Sequence, residues 1–470
     1  MAKKIISNPV LFKSLARIWK GKKVIVMGLG VYEWGSGWSS AAFFAELGSK
    51  VTVTDLKSKA QLQQGIKALK KYKIKYVLGR HRLTDFSNAD LIVKNPVVKN
   101  SSIYLKQARK NNIPIETDIS FFVQNCPSII IGITGTRGKT TTATLIQHML
   151  KSKWPNLLLG GNLGTSPLRS LYKCKKEEPV ILELSSWMLE SMAEKKISPH
   201  ISLITNIYPD HLNYYTSYTS YIKAKANIVK YQSIKDVCFY NYDQALVRDM
   251  VLFAKSQKQP FSLKNLSSKH VCLHGNKIKL GTKTIGDISN LQIPGSHNIE
   301  NAIAAVSVAN HFKVNSAIIN TKLKSFKGVH DRLEKVRKIG SITFYNDTTA
   351  TIPEATISAI RSLPEPIVLI AGGTDKELKF NQLVSIIKKE VSQLILLPGT
   401  ATQKIIKQLN KNNYNFIGPV KDMPQAVSQA VKVAAKNSSV LLSPASASFG
   451  LFINEFDRGK QFIGAVKKLK

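Results

Sequence analysis

Acidic residues are what this sequence is shortest of. Its 29 Asp and Glu stand against 68 Lys and Arg, leaving a formal net charge of +39 over 470 residues. That imbalance suits a nucleic-acid-binding protein. Arginine, however, is also scarce: Lys outnumbers Arg 57 to 11, and the lysines are spread along the whole chain. No basic stripe with interleaved aromatics stands out, so a solvated basic surface is the plainer reading, and its field favours anionic substrates. Cysteine is rare as well. Cys126, Cys174, Cys238 and Cys272 are far apart and lack metal-ligand spacing. They exclude a disulfide framework and a thiolate metal centre, and read as reduced thiols of a cytoplasmic protein. Long apolar runs are missing too. No stretch approaches a membrane span, and the lysine-bearing first segment has no apolar run suited to a signal peptide. Repeats and low-complexity segments do not occur.

What is present is a globular composition, with 43% hydrophobic and 8% aromatic residues. The length predicts two to four domains, each with its own core. The most informative stretch is residues 129–142, Ile-Ile-Ile-Gly-Ile-Thr-Gly-Thr-Arg-Gly-Lys-Thr-Thr-Thr. An apolar strand runs into a glycine turn, and residues 143–150 continue as a helix. Such a turn lets backbone N–H groups approach a polyphosphate at a helix N-terminus. Lys139 is placed to reach the outer phosphates and the Thr140 hydroxyl to reach Mg²⁺. The spacing is not the standard one, because Ile133 stands where the usual motif has its first glycine.

Before this loop, residues 22–30 form a strand entering the turn Gly28-Leu29-Gly30, a helix spans 39–47, and a second strand over 51–54 ends at Asp55. That is a βαβ unit of the nucleotide-binding kind, although a strict G-x-G-x-x-G is absent. Further α/β units follow to about residue 117. After the loop, residues 157–164 read as a strand with a glycine turn ending near Asn162. Residues 179–186 read as a buried strand carrying Glu183 and followed by Ser185, and residues 201–205 as another strand leading to His211. Ends of parallel strands carry ligand groups, and a carboxylate after four apolar residues requires a partner. Glu183 and His211 are therefore candidate metal ligands. Residues 221–231 read as a helix bearing Lys223, Lys225 and Lys230. Asn298 and Asn301 share a helix face at i, i+3, where they suit either a nucleotide base or a helix cap. From about residue 328 strands and helices alternate, with polar loops at 346–351, 372–376 and 443–449.

Taken together these motifs resemble the Mur ligases, ATP-dependent enzymes that add amino acids to the peptidoglycan precursor. The resemblance covers essentially the whole chain and rests on residues 132–142, 183–187, 206–212, 297–301, 331–334 and 345–347, in that order. It implies an α/β fold of three domains: a Rossmann-like N-terminal uridine-binding domain (1–117), a central P-loop ATPase-like domain (118–327) and a Rossmann-like C-terminal glutamate-binding domain (328–470). The branch most resembled adds D-glutamate to UDP-N-acetylmuramoyl-L-alanine through an acyl phosphate, with ATP and Mg²⁺.

The resemblance implies that Lys139, Thr140 and Thr141, with Gly135, Thr136 and Gly138, hold the ATP phosphates. It implies Thr140, Glu183, His211 and Lys225 as the metal-binding set, Lys225 matching a lysine that is carbamylated in the family. Asn298, Asn301, Arg332 and Asp347 are implied for adenine, ribose and phosphates. Gly28, Leu29, Gly30 and Asp55 are implied for uridine, Asn162 and Ser185 for the muramoyl substrate, and Lys376 and Ser448 for the incoming glutamate. A cytoplasmic monomer without nucleic-acid or membrane partners is expected. The sequence also departs from the family pattern. Thr349 stands where a lysine is usual, Glu455 where a phenylalanine is usual (with Phe456 adjacent), and Val97 where glycine is frequent; Tyr32-Glu33-Trp34 is inserted in the uridine turn. The same scaffold adding another amino acid such as L-glutamate, and a basic nucleic-acid-associated ATPase, are the alternatives.

Overall fold

The computed structural model describes residues 8–210, 214–264, 270–289, 291–293, 295–410 and 414–469. The chain divides into two compact units, one of Met1–Asn290 with His297–Lys324, the other of Leu291–Ser296 with Ser325–Lys470.

The first unit carries two sheets. In one, β1 (Lys23–Met27), β2 (Lys50–Asp55), β3 (Ile74–Leu78), β4 (Leu91–Lys94) and β5 (Ile115–Glu116) lie in the order β3-β2-β1-β4-β5. All pairings are parallel. Parallel strands are covered on both faces, which is why β1 and β4 read as unbroken apolar runs. The chain winds outward from β1 in both directions, so the turn at 28–30 leaves the sheet at its switch point.

The second sheet comprises β6 (Ile130–Thr134), β7 (Leu158–Gly161), β8 (Val180–Glu183), β9 (Ile201–Ile204), β10 (Val237–Asn241), β11 (Gln257–Ser262), β12 (Val271–His274), β13 (Lys277–Leu280) and β14 (Lys283–Asp287). Their order is β14-β13-β12-β11-β10-β9-β6-β8-β7. β6 lies between β8 and β9, parallel to both. The phosphate-loop candidate therefore emerges flanked by the ends of the strands that carry Glu183 and Asn206. Strands β12 to β14 form an antiparallel edge. An aromatic core joins the sheets: Phe43 stacks on Tyr172 at 5.2 Å and meets Phe121 edge-on at 5.8 Å.

In the second unit β15 (Glu334–Ile339), β16 (Ile342–Asn346), β17 (Ile367–Ala371), β18 (Gln393–Leu396) and β19 (Ser439–Leu442) lie in the order β15-β16-β19-β17-β18. Only the β15 pairing is antiparallel. Strands β16, β19 and β17 are adjacent and parallel, so the loops that follow them emerge side by side. The helix Glu455–Lys467 packs its Phe462 and Val466 into the core on one face of this sheet. Among the described residues no helix is long and apolar enough to cross a membrane.

Candidate active site

The loop after β6 is fixed before any ligand arrives. Gly135 has φ +150° and Gly138, the N-cap of the helix Lys139–Leu150, has φ +78°. A Cβ on Gly135 would lie 1.9 Å from Thr205 Oγ1, and one on Gly138 2.2 Å from Asn301 Oδ1. Only glycine fits both the torsions and the space. The tail of β9 braces the loop: the Thr136 amide donates to Asn206 O at 2.9 Å and the Arg137 amide to Asn206 Oδ1 at 2.9 Å. Thr205 Oγ1 donates to Arg137 O at 2.7 Å, and the Tyr208 amide to Thr136 Oγ1 at 2.9 Å. A braced glycine turn capping a helix N-terminus suits an anion.

Side chains expected from the sequence converge on this loop. Thr140 Oγ1 donates to Glu183 Oε2 at 2.6 Å, and Asn162 Nδ2 to Glu183 Oε1 at 3.2 Å. Glu183 is fully buried. Lys139 folds over the loop and donates to Gly135 O at 3.0 Å and Thr136 O at 3.1 Å. Lys225, on the helix Tyr218–Lys230, donates to the same Gly135 oxygen at 2.8 Å. It is not one of the solvated lysines its helix otherwise carries: it is buried, with Nζ 4.9 Å from the centre of the Tyr221 ring. Burial first, then the charge of Lys139, hold its amine well below the usual lysine range, while Asp210 and Glu183 pull it back. His211 lies outside the described residues.

Asn298 and Asn301 are buried on the helix Ser296–His311 and bond to each other, Asn301 Nδ2 to Asn298 Oδ1, at 3.1 Å. Thr142 Oγ1 donates to Asn301 Oδ1 at 3.2 Å, which ties this helix to the phosphate-loop helix. Burial, then Arg137, lower the pKa of the neighbouring His297. Thr141 is half-buried on the first turn of the loop helix, and Ser185 caps the helix Ser186–Glu194 by accepting from the Met188 amide at 3.4 Å.

At the switch point of the first sheet the amides of Leu29 and Gly30 donate to Asp55 Oδ2 at 2.8 and 3.2 Å. Gly28 and Gly30 are left-handed, with φ +91° and +72°. The inserted Tyr32-Glu33-Trp34 has work of its own. Trp34 O accepts from the Ser166 amide at 2.9 Å, and the Arg169 guanidinium lies 4.1 Å over the Trp34 ring. The insertion thus joins the uridine-turn candidate to the segment that follows Asn162.

In the second unit Asp347 is buried at the end of β16. It accepts from the Leu333 amide at 3.1 Å and from Ser443 Oγ at 2.8 Å. Burial raises its pKa to about 7 against the lowering effect of Ser443, Leu333 and Arg332. Arg332 sits beside it in the tight turn between Asp331 (φ +65°) and Leu333 (φ +45°). Ser448 Oγ is buried without a hydrogen-bond partner among the described residues. Lys376 is exposed on the loop after β17. Thr349, at the position of the usual lysine, turns its hydroxyl onto Asp331 O at 2.8 Å.

Sequence reasoning missed Asn206, Thr205 and Tyr221 as braces of the phosphate loop. The signal for the first two was their place at a strand end; Tyr221, whose hydroxyl is 3.1 Å from Thr136 Oγ1, gave none. It counted residues 456–459 toward the family resemblance but gave no role to Arg458, a charged residue buried in an amphipathic helix.

Residues 22–117 match the family described as the Mur ligase MurD-like N-terminal domain. Residues 133–309 match the Mur ligase middle domain, and residues 331–446 the Mur ligase glutamate ligase domain. A UDP-N-acetylmuramoylalanine--D-glutamate ligase from Roseiflexus is 39% identical, covering 94% of this chain and 97% of its own. An equally named protein of Borreliella burgdorferi is 39% identical, covering 96% and 98%. Among solved structures, the UDP-N-acetylmuramate-alanine ligase MurC of Thermotoga maritima has a TM-score of 0.63 at 19% identity, over 96% of this chain and 100% of its own. The MurF ligase of Thermotoga maritima in complex with ADP has a TM-score of 0.58 at 16% identity, over 96% and 99%. These two show a shared fold.

Proposed function

The chain belongs to the Mur ligase family, and we propose that it joins D-glutamate to UDP-N-acetylmuramoyl-L-alanine at the expense of ATP, in the cytoplasmic synthesis of the peptidoglycan precursor. The observation that carries this reading is the 39% identity, along nearly the full length of both chains, with ligases named for that reaction.

In this reading the loop 135–138 and the helix behind it hold the ATP phosphates, with Lys139 on the outer ones and Thr140 and Thr141 in the first turn. The substrate carboxylate attacks the γ-phosphorus and ADP leaves. The amine of glutamate then attacks the acyl carbon, loses a proton, and phosphate departs with the oxygen that came from the carboxylate. Two anions meet in the first step, so the enzyme's task is charge compensation and alignment rather than covalent catalysis. Gly28, Leu29, Gly30 and Asp55 take the uridine end of the substrate, while Asn162 and Ser185 lie along its muramoyl part. Asn298, Asn301, Arg332 and Asp347 take the adenosine and phosphates. Lys376 and Ser448 take glutamate, a role supported by the buried Ser448 oxygen, which has no hydrogen-bond partner among the described residues.

The donors around Glu183 suit magnesium. Among the described residues the fully buried Glu183 carboxylate takes side-chain bonds from the neutral groups of Thr140 and Asn162, which leaves it able to accept further positive charge. Glu183, Thr140, His211 and a carbamylated Lys225 would hold the ion, which when bound supplies charge neutralisation of the phosphates. Lys225 fits that modification because burial shifts its amine toward the neutral form, the one that takes up carbon dioxide. The enzyme works as a monomer, without nucleic-acid or membrane partners. The reading is tested by incubating the protein with ATP, Mg²⁺, UDP-N-acetylmuramoyl-L-alanine and D-glutamate. A nucleotide product heavier by one glutamyl residue, formed with one ADP and one phosphate, is the expected result. No product with D-glutamate, or an equal rate with L-glutamate, overturns it.

A further inference from the structure

The helix Glu455–Lys467 enters the second unit with two residues that apolar packing does not explain. Arg458 is 0% exposed. Gly459, next to it, leaves no room for a side chain: its Cβ would fall 2.3 Å from Asp331 Oδ1 and 2.7 Å from Thr348 Cγ2. The helix is therefore pressed against the loop after β16, and Arg458 reaches past it.

The guanidinium spans two loops. Nε donates to Thr348 Oγ1 at 3.0 Å, Nη2 to Thr348 O at 2.8 Å, and Nη1 to Ser446 O at 3.2 Å. These bonds all end on neutral oxygens. The third strand-end loop joins the same arrangement, since Thr374 and Ala447 exchange both backbone hydrogen bonds, at 2.9 and 3.0 Å. Gly373 permits that approach, because a Cβ there would lie 2.4 Å from Ala447 O.

A buried guanidinium costs more than an apolar side chain of the same volume. Burial brings its pKa down to about 10, partly offset by Glu455, so it stays charged at neutral pH. Its fork gives what an apolar residue cannot, a fixed distance between two loop backbones. Thr348 directly follows Asp347, and Ser446 is two residues before Ser448.

We propose that Arg458 is a positioning residue of the amino-acid site, which holds the loop of the glutamate contact Ser448 at a set distance from the loop of the ATP contact Asp347 by clamping Thr348 to Ser446. The inference rests on the reading of this unit as the glutamate-binding part. The variants R458Q and R458K are compared with wild type by steady-state kinetics in each substrate and by amide hydrogen exchange. R458Q raises the KM for D-glutamate on the order of tenfold. It leaves the KM for UDP-N-acetylmuramoyl-L-alanine unchanged, and R458K falls between. Exchange quickens together in residues 346–351 and 443–449 and stays at the wild-type rate in residues 130–150. Should R458Q not fold, T348V, which removes the acceptor of Nε together with the Thr348 Oγ1 bond to Glu455 O at 2.8 Å, shows the same pattern with a smaller shift. An unchanged D-glutamate KM, an equal rise for all substrates, or exchange that quickens in one loop without the other overturns the proposal. If the wild-type protein does not ligate D-glutamate, the functional reading fails on its own, and the exchange comparison still decides the clamp.

Discussion

Lys139 and Lys225 share one acceptor: both ammonium nitrogens bond the carbonyl oxygen of Gly135, at 3.0 and 2.8 Å. Two cations this close repel, and the buried one yields first. In the proposed reading Lys139 serves the phosphates, while burial and the neighbouring Lys139 hold the Lys225 amine below the usual lysine range. Lys139→Ala is expected to lower kcat on the order of a hundredfold or more, as loss of a preorganised charge does. Lys225→Ala is expected to lose activity and to regain part of it with acetate or formate. Intact-mass measurement of the wild type in bicarbonate is expected to show one added carbon dioxide. Normal turnover of Lys225→Ala without added carboxylate contradicts the assigned role.

In the proposed reading Glu183 is a magnesium ligand. Glu183→Gln keeps the bonds with Thr140 and Asn162 within reach but removes the charge. The Mg²⁺ concentration giving half-maximal rate is expected to rise about ten- to a hundredfold, the usual effect of disturbing a ligand set. A magnesium titration that superimposes on the wild type rejects Glu183 as a ligand.

Asp347 makes stability depend on pH. Its folded pKa of about 7 lies above the unfolded value, so the folded chain keeps the proton longer. The resulting stabilisation is fully present below about pH 4 and is lost as the pH rises through about 7, a change on the order of a few kcal/mol. Denaturant midpoints of Asp347→Asn are expected to lack that decline. The KM for ATP of the wild type is expected to rise as the pH falls below about 7, since the protonated acid accepts poorly from a ribose hydroxyl. Parallel stability profiles for wild type and variant would falsify this assignment.

Ser448→Ala separates binding from folding. Its hydroxyl has no partner among the described residues, so removing it costs no hydrogen bond within the chain. The melting temperature is expected to hold or rise slightly while the KM for D-glutamate increases several-fold. A fall in melting temperature with unchanged kinetics assigns the hydroxyl to structure instead.

The parts of the fold that were legible in the sequence are those built from buried parallel strands. β1, β4, β6, β8, β9, β17 and β19 are continuous apolar runs ended by polar turns, a pattern that needs no tertiary knowledge. The antiparallel strands at the sheet edges were not legible. β15, Glu-Lys-Val-Arg-Lys-Ile, is half solvated, and β12 to β14 are short strands of four and five residues. At the site, Gly135, Gly138, Thr140 and Glu183 declared themselves by spacing and by a charge within a core strand. Lys225 did not, because one lysine among three on a helix has no distinguishing local signal; its burial comes from packing against Gly135. The burial of Arg458, and so its role, had no local signal either. The insertion at 32–34 looked like a departure from the family pattern, and its use, the stacking of Trp34 under Arg169, depends on a contact 135 positions away in the chain.

The central claim is that ATP activates the substrate carboxylate. UDP-N-acetylmuramoyl-L-alanine labelled with heavy oxygen in its free carboxylate tests it most directly. With D-glutamate and ATP, one labelled oxygen per turnover is expected in the released inorganic phosphate, with ADP as the only nucleotide formed from ATP. Unlabelled phosphate, or formation of AMP and pyrophosphate, contradicts the account.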